Sequence, residues 1–356
     1  MVENRSSSMR ITLDSTSDKE NTMKSLSLPL VLAVAVSLCS ALSAEVPESA
    51  FNDNPYPAEE GPVQVYILAG QSNMQGHASL RTLEYLVYNE ETADEFEHLK
   101  DRMGRWVERR DVWVWTTDGE RSGNLKPGFG ASKWEVGPEL GFGWTVGKKI
   151  DKQVLLIKTC WGGVAVKKGF LPPGSGGPGE KYSLMIEHVK TVLDNLKQHF
   201  PGYKEKQGYE LAGLVWFQGW NDMVDREQRK KDYAGYTKRL GQLIRDVRKD
   251  LDAPELPAII GELGVGGDGE KPEFRQAQEA VAKLPDLKDN VKFVETHQFW
   301  EPEVEKLVKE GVWQGPNWPE FYNVGSQKAY HYLGSGKMMY RIGQAFADSM
   351  LELSDE

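Results

Sequence analysis

Four places in the chain join a strand-like apolar run to residues that can do chemistry. The first is Gly70-Gln71-Ser72-Asn73-Met74, directly after Val63-Gln64-Val65-Tyr66-Ile67-Leu68-Ala69. A β-branched apolar run that stops at glycine and then presents a serine reads as a buried parallel strand delivering a side chain to its C-terminal edge. Open α/β sheets keep their chemistry at that edge. Serine there can be a nucleophile when a base and oxyanion donors converge on it, or it can cap a helix starting at Asn73. The second place is Leu214-Val215-Trp216-Phe217-Gln218-Gly219-Trp220-Asn221-Asp222. The Asn221 amide is a neutral N–H donor suited to an oxyanion, and Asn-Asp is also a common turn. The third is Val154-Leu155-Leu156-Ile157-Lys158-Thr159-Cys160-Trp161-Gly162-Gly163, where a glycine pair can turn tightly and aim an N–H outward, or simply end a strand.

The fourth place is His331 in Tyr330-His331-Tyr332-Leu333-Gly334-Ser335, ahead of a helical pattern. It can serve as a general base, or stand as a structural histidine between two tyrosines. Two rivals exist. His77 lies five residues after Ser72, where a helix leaving the sheet edge would point it away, and His297 lies at the C-terminal end of a strand pattern. Bases at such edges are usually recruited from distant loops, which favours His331.

Strand patterns at 63–68, 154–159, 211–217, 258–261 and 291–295 alternate with helical ones. The helices are expected at 137–149, 182–199, 227–250, 272–283 and 336–353. Such alternation implies a parallel sheet with helices on both faces. Residues 45–62 read as a Pro-containing lead-in. Residues 80–131 read as an insertion holding a charged helical stretch at 93–109 and a short strand at 111–115. Pro172–Gly179 is a loop, and His188 and His199 read as residues of a solvated helix face.

At 356 residues with 27% charged and 39% hydrophobic residues, the composition is that of a globular protein. A net charge of −10 without a basic stripe argues against nucleic acid as partner. The six histidines show no metal-ligand spacing, and no Gly-x-Gly-x-x-Gly follows a strand, so neither metal nor cofactor is expected. Met23-Lys24 precedes an apolar stretch at 26–42 and an Ala-Leu-Ser-Ala close before Glu45. This is the pattern of a signal peptide over 1–44. A membrane anchor competes, but the run is short for a span and breaks into small residues. The polar stretch ahead of it points to translation starting at Met23 rather than to an unusually long n-region. The signal pattern predicts a secreted or periplasmic protein, 45–356 forming one domain, with no stable membrane anchor after cleavage. Cys160 is then the one remaining cysteine, so no internal disulfide is expected. The eleven tryptophans include several near strand ends, among them Trp161 and Trp220, where aromatic faces can pack on sugar rings or simply fill the core.

Together the four blocks resemble the SGNH hydrolase superfamily, named for Ser, Gly, Asn and His in chain order. Gly70-Gln71-Ser72-Asn73-Met74 is similar to the block of the sialate O-acetylesterase domain and its relatives in carbohydrate esterase family 6, and Gly219-Trp220-Asn221-Asp222 fits the Gly-x-Asn-Asp block. The resemblance spans residues 63–350. It implies a three-layer α/β/α fold with a central parallel sheet, flavodoxin-like, and a secreted serine esterase hydrolysing O-acetyl groups on carbohydrate. By the same resemblance Ser72 is the nucleophile, its N–H and that of Gly162 are oxyanion donors, Asn221 adds a side-chain donor and His331 is the base. Gln71 and Gln218, beside the motif glycines, are expected to contact substrate. A carbohydrate O-acetyltransferase on the same fold, or a carbohydrate-binding protein that has lost activity, are the alternatives. One departure stands out: the superfamily usually has Asp three residues before the catalytic His, and here Lys328 occupies that place. Lysine cannot accept from Nδ1–H or stabilise an imidazolium. Glu295 and Asp222 are candidates for the missing acid, beside a backbone carbonyl or a bare Ser–His dyad.

Overall fold

The computed structural model describes residues 59–355 except 118, 120, 268–270 and 313–317. The expected targeting segment at 1–44 lies outside the described residues, as do Trp313 and most of the 45–62 lead-in.

The main strands are β1 (Glu59–Gly70), β3 (Arg109–Thr116), β4 (Ser122–Leu125), β6 (Lys152–Cys160), β7 (Tyr209–Phe217), β8 (Ala258–Gly261) and β9 (Val291–Val294). They form one sheet in the order β4-β3-β6-β1-β7-β8-β9, parallel throughout except for antiparallel β3–β4. Two short strands, β2 (Ala78–Ser79) and β5 (Glu135–Val136), pair antiparallel beside it. β1 lies in the middle and is covered on both faces, so Val65 through Ala69 are all buried. This explains why that strand reads as a continuous apolar run rather than an alternating one.

Side chains on alternate residues mark the two covering layers. On one face Tyr66 meets Phe142 of the helix Glu139–Lys149, and Phe217 meets Phe346 of the helix Gly336–Asp355, ring centroids 5.2 Å apart in each case. These helices cross closely at two glycines: a Cβ on Gly141 would stand 1.9 Å from the Tyr340 carbonyl oxygen, and one on Gly343 2.1 Å from that of Pro138. On the other face lie the helices Glu180–Asp194, Ala234–Asp250 and Pro272–Ala282, tied by Tyr182 to Asp250 (2.8 Å) and by Tyr236 packing on Phe274. The α/β/α architecture is the expected one. Among the described residues no helix is long and apolar enough to cross a membrane.

Several local expectations are corrected. The stretch 80–131 is no mere insertion, because β3 and β4 inside it supply one edge of the main sheet. The helical stretch at 93–109 is only Ala93–Phe96 and a 3-10 turn. The Asp101 carboxylate then caps a tight turn by accepting from the N–H groups of Met103 and Arg105, 2.9 Å each. The long helix at 227–250 is broken where Asp232 and Tyr233 take positive φ, and the one at 182–199 is interrupted at Asn195. His188 is not on a solvated face: its ring packs against Trp115 and Trp161, centroids 5.5 and 5.9 Å away.

Register sets the geometry of the sheet's upper edge. Gly70 pairs with Cys160 on one side and with Phe217 on the other, so β6, β1 and β7 end level. Gly70 (φ +151) lies so near β7 that a Cβ would stand 2.2 Å from the Phe217 carbonyl oxygen. Just below that edge Lys158, 2% exposed, donates to the carbonyls of Gln75 (2.9 Å) and Phe129 (2.7 Å) and to Glu139 Oε2 (2.9 Å). Lys158→Met would leave Glu139, itself fully buried, without its cation. The expected loss is about 3–5 kcal/mol of unfolding free energy, read as a lower urea midpoint at unchanged m. The double replacement Lys158→Met with Glu139→Leu should recover part of it; equal stability of wild type and single variant would refute the role of the pair.

Candidate active site

Ser72 opens a one-turn helix, Ser72–Gln75, at the tip of β1. Ser72 is 8% exposed and does not cap the helix: the N-cap position is Gln71. As the first helical residue, its N–H has no partner within the helix. Two residues beyond β6 stands Gly162. A Cβ built on it would lie 3.9 Å from Ser72 Cβ and 3.1 Å from Gln75 Oε1, so a side chain here would crowd the serine.

Asn221 reaches the same place from the one-turn helix Trp220–Met223 after β7. The link is Gln71. Its Oε1 accepts from the Gly219 N–H (3.2 Å) and its Nε2 donates to Asn221 Oδ1 (3.3 Å). With Oδ1 engaged, the Asn221 amide has its Nδ2 hydrogens left to offer. Gln71 is 2% exposed and makes these bonds inside the protein, so it positions Asn221 rather than contacting substrate. Gln218 is corrected in the same way: it is 2% exposed and its Nε2 donates to the Val164 carbonyl (2.9 Å) and Asp222 Oδ2 (2.8 Å).

His331 lies in the 3-10 segment Ala329–Gly334, which packs against the Ser72 helix. The backbone there is strained: Tyr332 (φ 50) and Leu333 (φ 56) are both left-handed, each at a cost of about 1–3 kcal/mol. The surroundings impose it. The Tyr332 hydroxyl accepts from the Gly264 N–H (2.8 Å) and lies 2.7 Å from Thr296 Oγ1, while the Leu333 carbonyl accepts from the N–H groups of Ser326 (2.8 Å) and Gln327 (2.9 Å). Burial pulls the His331 imidazole down to about 4, with the nearby His77 acting in the same direction and Glu135 opposing. The ring is therefore predominantly neutral at neutral pH, with a lone pair to accept a proton.

Neither expected acid reaches it. Asp222 is fully buried and its carboxylate accepts from the Val166 N–H (2.7 Å), Gln218 and Gln228 (2.8 Å each), which anchors the loop after β6 to that after β7. Glu295 is exposed. Lys328 is exposed too, and only its carbonyl touches the site, accepting from the His331 N–H at 3.0 Å. Among the described residues His331 Nδ1 has no hydrogen-bond partner. His297 has one: its Nδ1 is 2.8 Å from Glu262 Oε2, which also accepts the N–H groups of Thr296 and His297 itself.

His77 does not point away from the site. The Ser72 helix stops after one turn at Gly76 (φ +84), whose missing side chain admits Gly137 to within van der Waals range. The chain folds back and lays the His77 ring flat on His331, centroids 4.2 Å apart and planes at 7°. His77 Nδ1 is in turn 3.4 Å from Glu135 Oε1, and the contact holds the Glu135 carboxyl below its ordinary range. Glu135 was missed from sequence; its place just before the Gly137-Pro138 helix start was the only signal. Half-buried Trp161 and Trp220 directly precede Gly162 and Asn221; the Trp161 ring lies 5.9 Å from Phe170 and from His188, and the Trp220 ring is 5.5 Å from that of Tyr330.

Comparison with known proteins follows the same outline. A relative from Arabidopsis thaliana, named a probable carbohydrate esterase, is 26% identical over 226 residues, covering 61% of this chain and 75% of the relative. The crystal structure of an Arabidopsis thaliana protein of the same locus superposes with a TM-score of 0.52 at 20% identity, over 82% of this chain and 98% of that one. The crystal structure of NanS gives 0.50 at 15% identity, over 83% and 99%. Both superpositions establish a shared fold. The model of the family described as carbohydrate esterase, sialic acid-specific acetylesterase matches residues 62–304, a span that holds Ser72, Gly162 and Asn221 and ends before His331. The chain belongs to that family of carbohydrate esterases.

Proposed function

We propose that this protein is a secreted serine esterase that removes O-acetyl groups from carbohydrate. The observation that carries the reading is the level ending of β6, β1 and β7, with Gly162 against Ser72 and the Asn221 amide locked by Gln71. Ser72 Oγ attacks the acetyl carbonyl while His331 takes its proton. The oxyanion is received by the N–H groups of Ser72 and Gly162 and by Asn221 Nδ2. The protonated His331 then delivers its proton to the departing sugar oxygen, leaving acetyl on Ser72. Water, deprotonated by His331, hydrolyses that ester, and acetate leaves. Trp161, Trp220 and Tyr330, directly before Gly162, Asn221 and His331 in the chain, support a sugar-bearing substrate, since their faces suit the apolar side of a pyranose ring. The apolar segment at 26–42 and the small residues before Glu45 support export.

Acetate release from acetylated sugars and polymers tests the reading. Ser72→Ala should lower turnover by on the order of a million-fold, and Asn221→Ala by about a hundred- to a thousand-fold with little change in KM. A Ser72→Ala enzyme that kept a tenth of its activity would refute the nucleophile. The pH profile has a definite sign. Because burial lowers His331 from 6.5 to about 4, kcat/KM should stay high below neutrality and fall only as pH drops toward 4; an acid limb at or above 6.5 would contradict the base assignment. The N-terminus of the exported protein should be Glu45 or a close neighbour, and a retained, uncleaved product would refute the address.

A further inference from the structure

The base proposed above lacks the carboxylate that ordinarily holds such a ring. A histidine that must accept a proton from serine needs its plane fixed, and the usual means is an Nδ1–H bond to an acid. Here Nδ1 of His331 is buried without a partner among the described residues. The ring is held from its face instead. His77 lies against it at 4.2 Å and 7°, and Tyr330 closes its edge at 4.5 Å and 78°. We propose that His77, itself tied to Glu135, is the positioning residue for His331 and takes the part that Lys328 cannot.

Three features make His77 a fixed support. Its Nδ1 is 3.4 Å from Glu135 Oε1. Ser326 Oγ accepts from the Ser79 N–H at 3.1 Å and donates to the Gly334 carbonyl at 3.0 Å, with the His77 carbonyl a longer alternative acceptor at 3.4 Å, which ties the chain after His77 to the segment carrying His331. Glu135 is held across the β2–β5 pair, opposite Ser79. Gly76 makes the arrangement possible, for its φ of +84 and the close approach of Gly137 leave no room for a Cβ. The pair also couples two charges. A proton on His77 opposes a proton on His331, and the Glu135 carboxylate favours one. Among the described residues, His77, Glu135 and the Tyr330 ring are the titratable groups found to act on or touch His331; Lys328 is exposed. The arrangement therefore pairs a His77 ring held by Glu135 with a His331 that gains and loses the proton of the reaction.

This inference rests on His331 being the base, so Ser72→Ala and His331→Ala are measured beside His77→Ala, His77→Phe and Glu135→Gln. The readouts are kcat and KM for acetate release across pH. His77→Ala removes the stack, and kcat should fall about ten- to a hundred-fold with KM little changed, the usual effect of losing a group that orients a catalytic one. His77→Phe restores a flat ring and should recover most of kcat. It also removes the His77 charge, so its acid limb should move to higher pH. Glu135→Gln should move the limb the other way. A wild-type kcat in His77→Ala, or a His77→Phe enzyme no better than His77→Ala with an unmoved limb, would overturn the inference. So would an active His331→Ala enzyme beside a dead His77→Ala, which would make His77 the base. If His77→Ala does not fold, the opposite shifts of His77→Phe and Glu135→Gln decide. An active Ser72→Ala enzyme would overturn the esterase reading itself.

Discussion

The ammonium of Lys158 is buried directly beneath the turn that carries Ser72, and three oxygens from three separate segments converge on it. The Gln75 carbonyl closes the one-turn helix that carries Ser72, the Phe129 carbonyl belongs to the loop after β4, and Glu139 begins the helix that covers β1. Glu139 passes the anchorage on, its Oε1 accepting from the Gly137 N–H at 3.0 Å. Gly137 is the residue against which Gly76 folds, and that fold is what returns His77 to the site. A buried ion pair seldom contributes net stability against a well-packed apolar alternative, but breaking one is costly. In this molecule its value lies in geometry, since one cation sets the height of the serine turn and the course of the chain after it.

The site combines two kinds of construction. Ser72, Gly162 and Asn221 are placed by sheet register: three parallel strands end level, and the residues a few positions beyond their ends come together, Gly162 against Ser72 and Asn221 through Gln71. Gln71 completes this half by engaging Oδ1 of the Asn221 amide and leaving Nδ2 to donate. His331 is placed by strain. Two consecutive left-handed residues follow it, held by the Tyr332 hydroxyl network and by the Ser326 and Gln327 N–H groups. A strained segment beside an imidazole whose Nδ1 has no hydrogen-bond partner among the described residues is the kind of structure that persists only when its surroundings over-determine it.

The two halves differ in how far they can be read from sequence. β1, β6 and β7 carry apolar runs that end in glycine, and glycine there has a steric cause, so Ser72, Gly162 and Asn221 stand out. His331 is legible from its order in the chain and the helix behind it. What escapes is the contact between residues far apart in sequence. Nothing in His77 or Glu135 announces that a glycine turn and a two-residue strand pair will bring them together. The short helix is the reason: an offset of five residues points away only if the helix continues, and Gly76 stops it. Gln71 and Gln218 sit where substrate contacts are expected, yet both are drawn inward by unsatisfied backbone groups in the neighbouring loops. The strand β3 is legible as the short strand at 111–115, but its alternating pattern does not tell that it joins the main sheet beside β6.

Labelling with a fluorophosphonate probe tests the central claim most directly. The account predicts that Ser72 Oγ displaces fluoride to give one phosphonyl adduct, found by peptide mapping on the segment that carries Ser72, with esterase activity lost in proportion to labelling. Activity that survives full labelling of Ser72, or that disappears with the adduct on another residue, would contradict it.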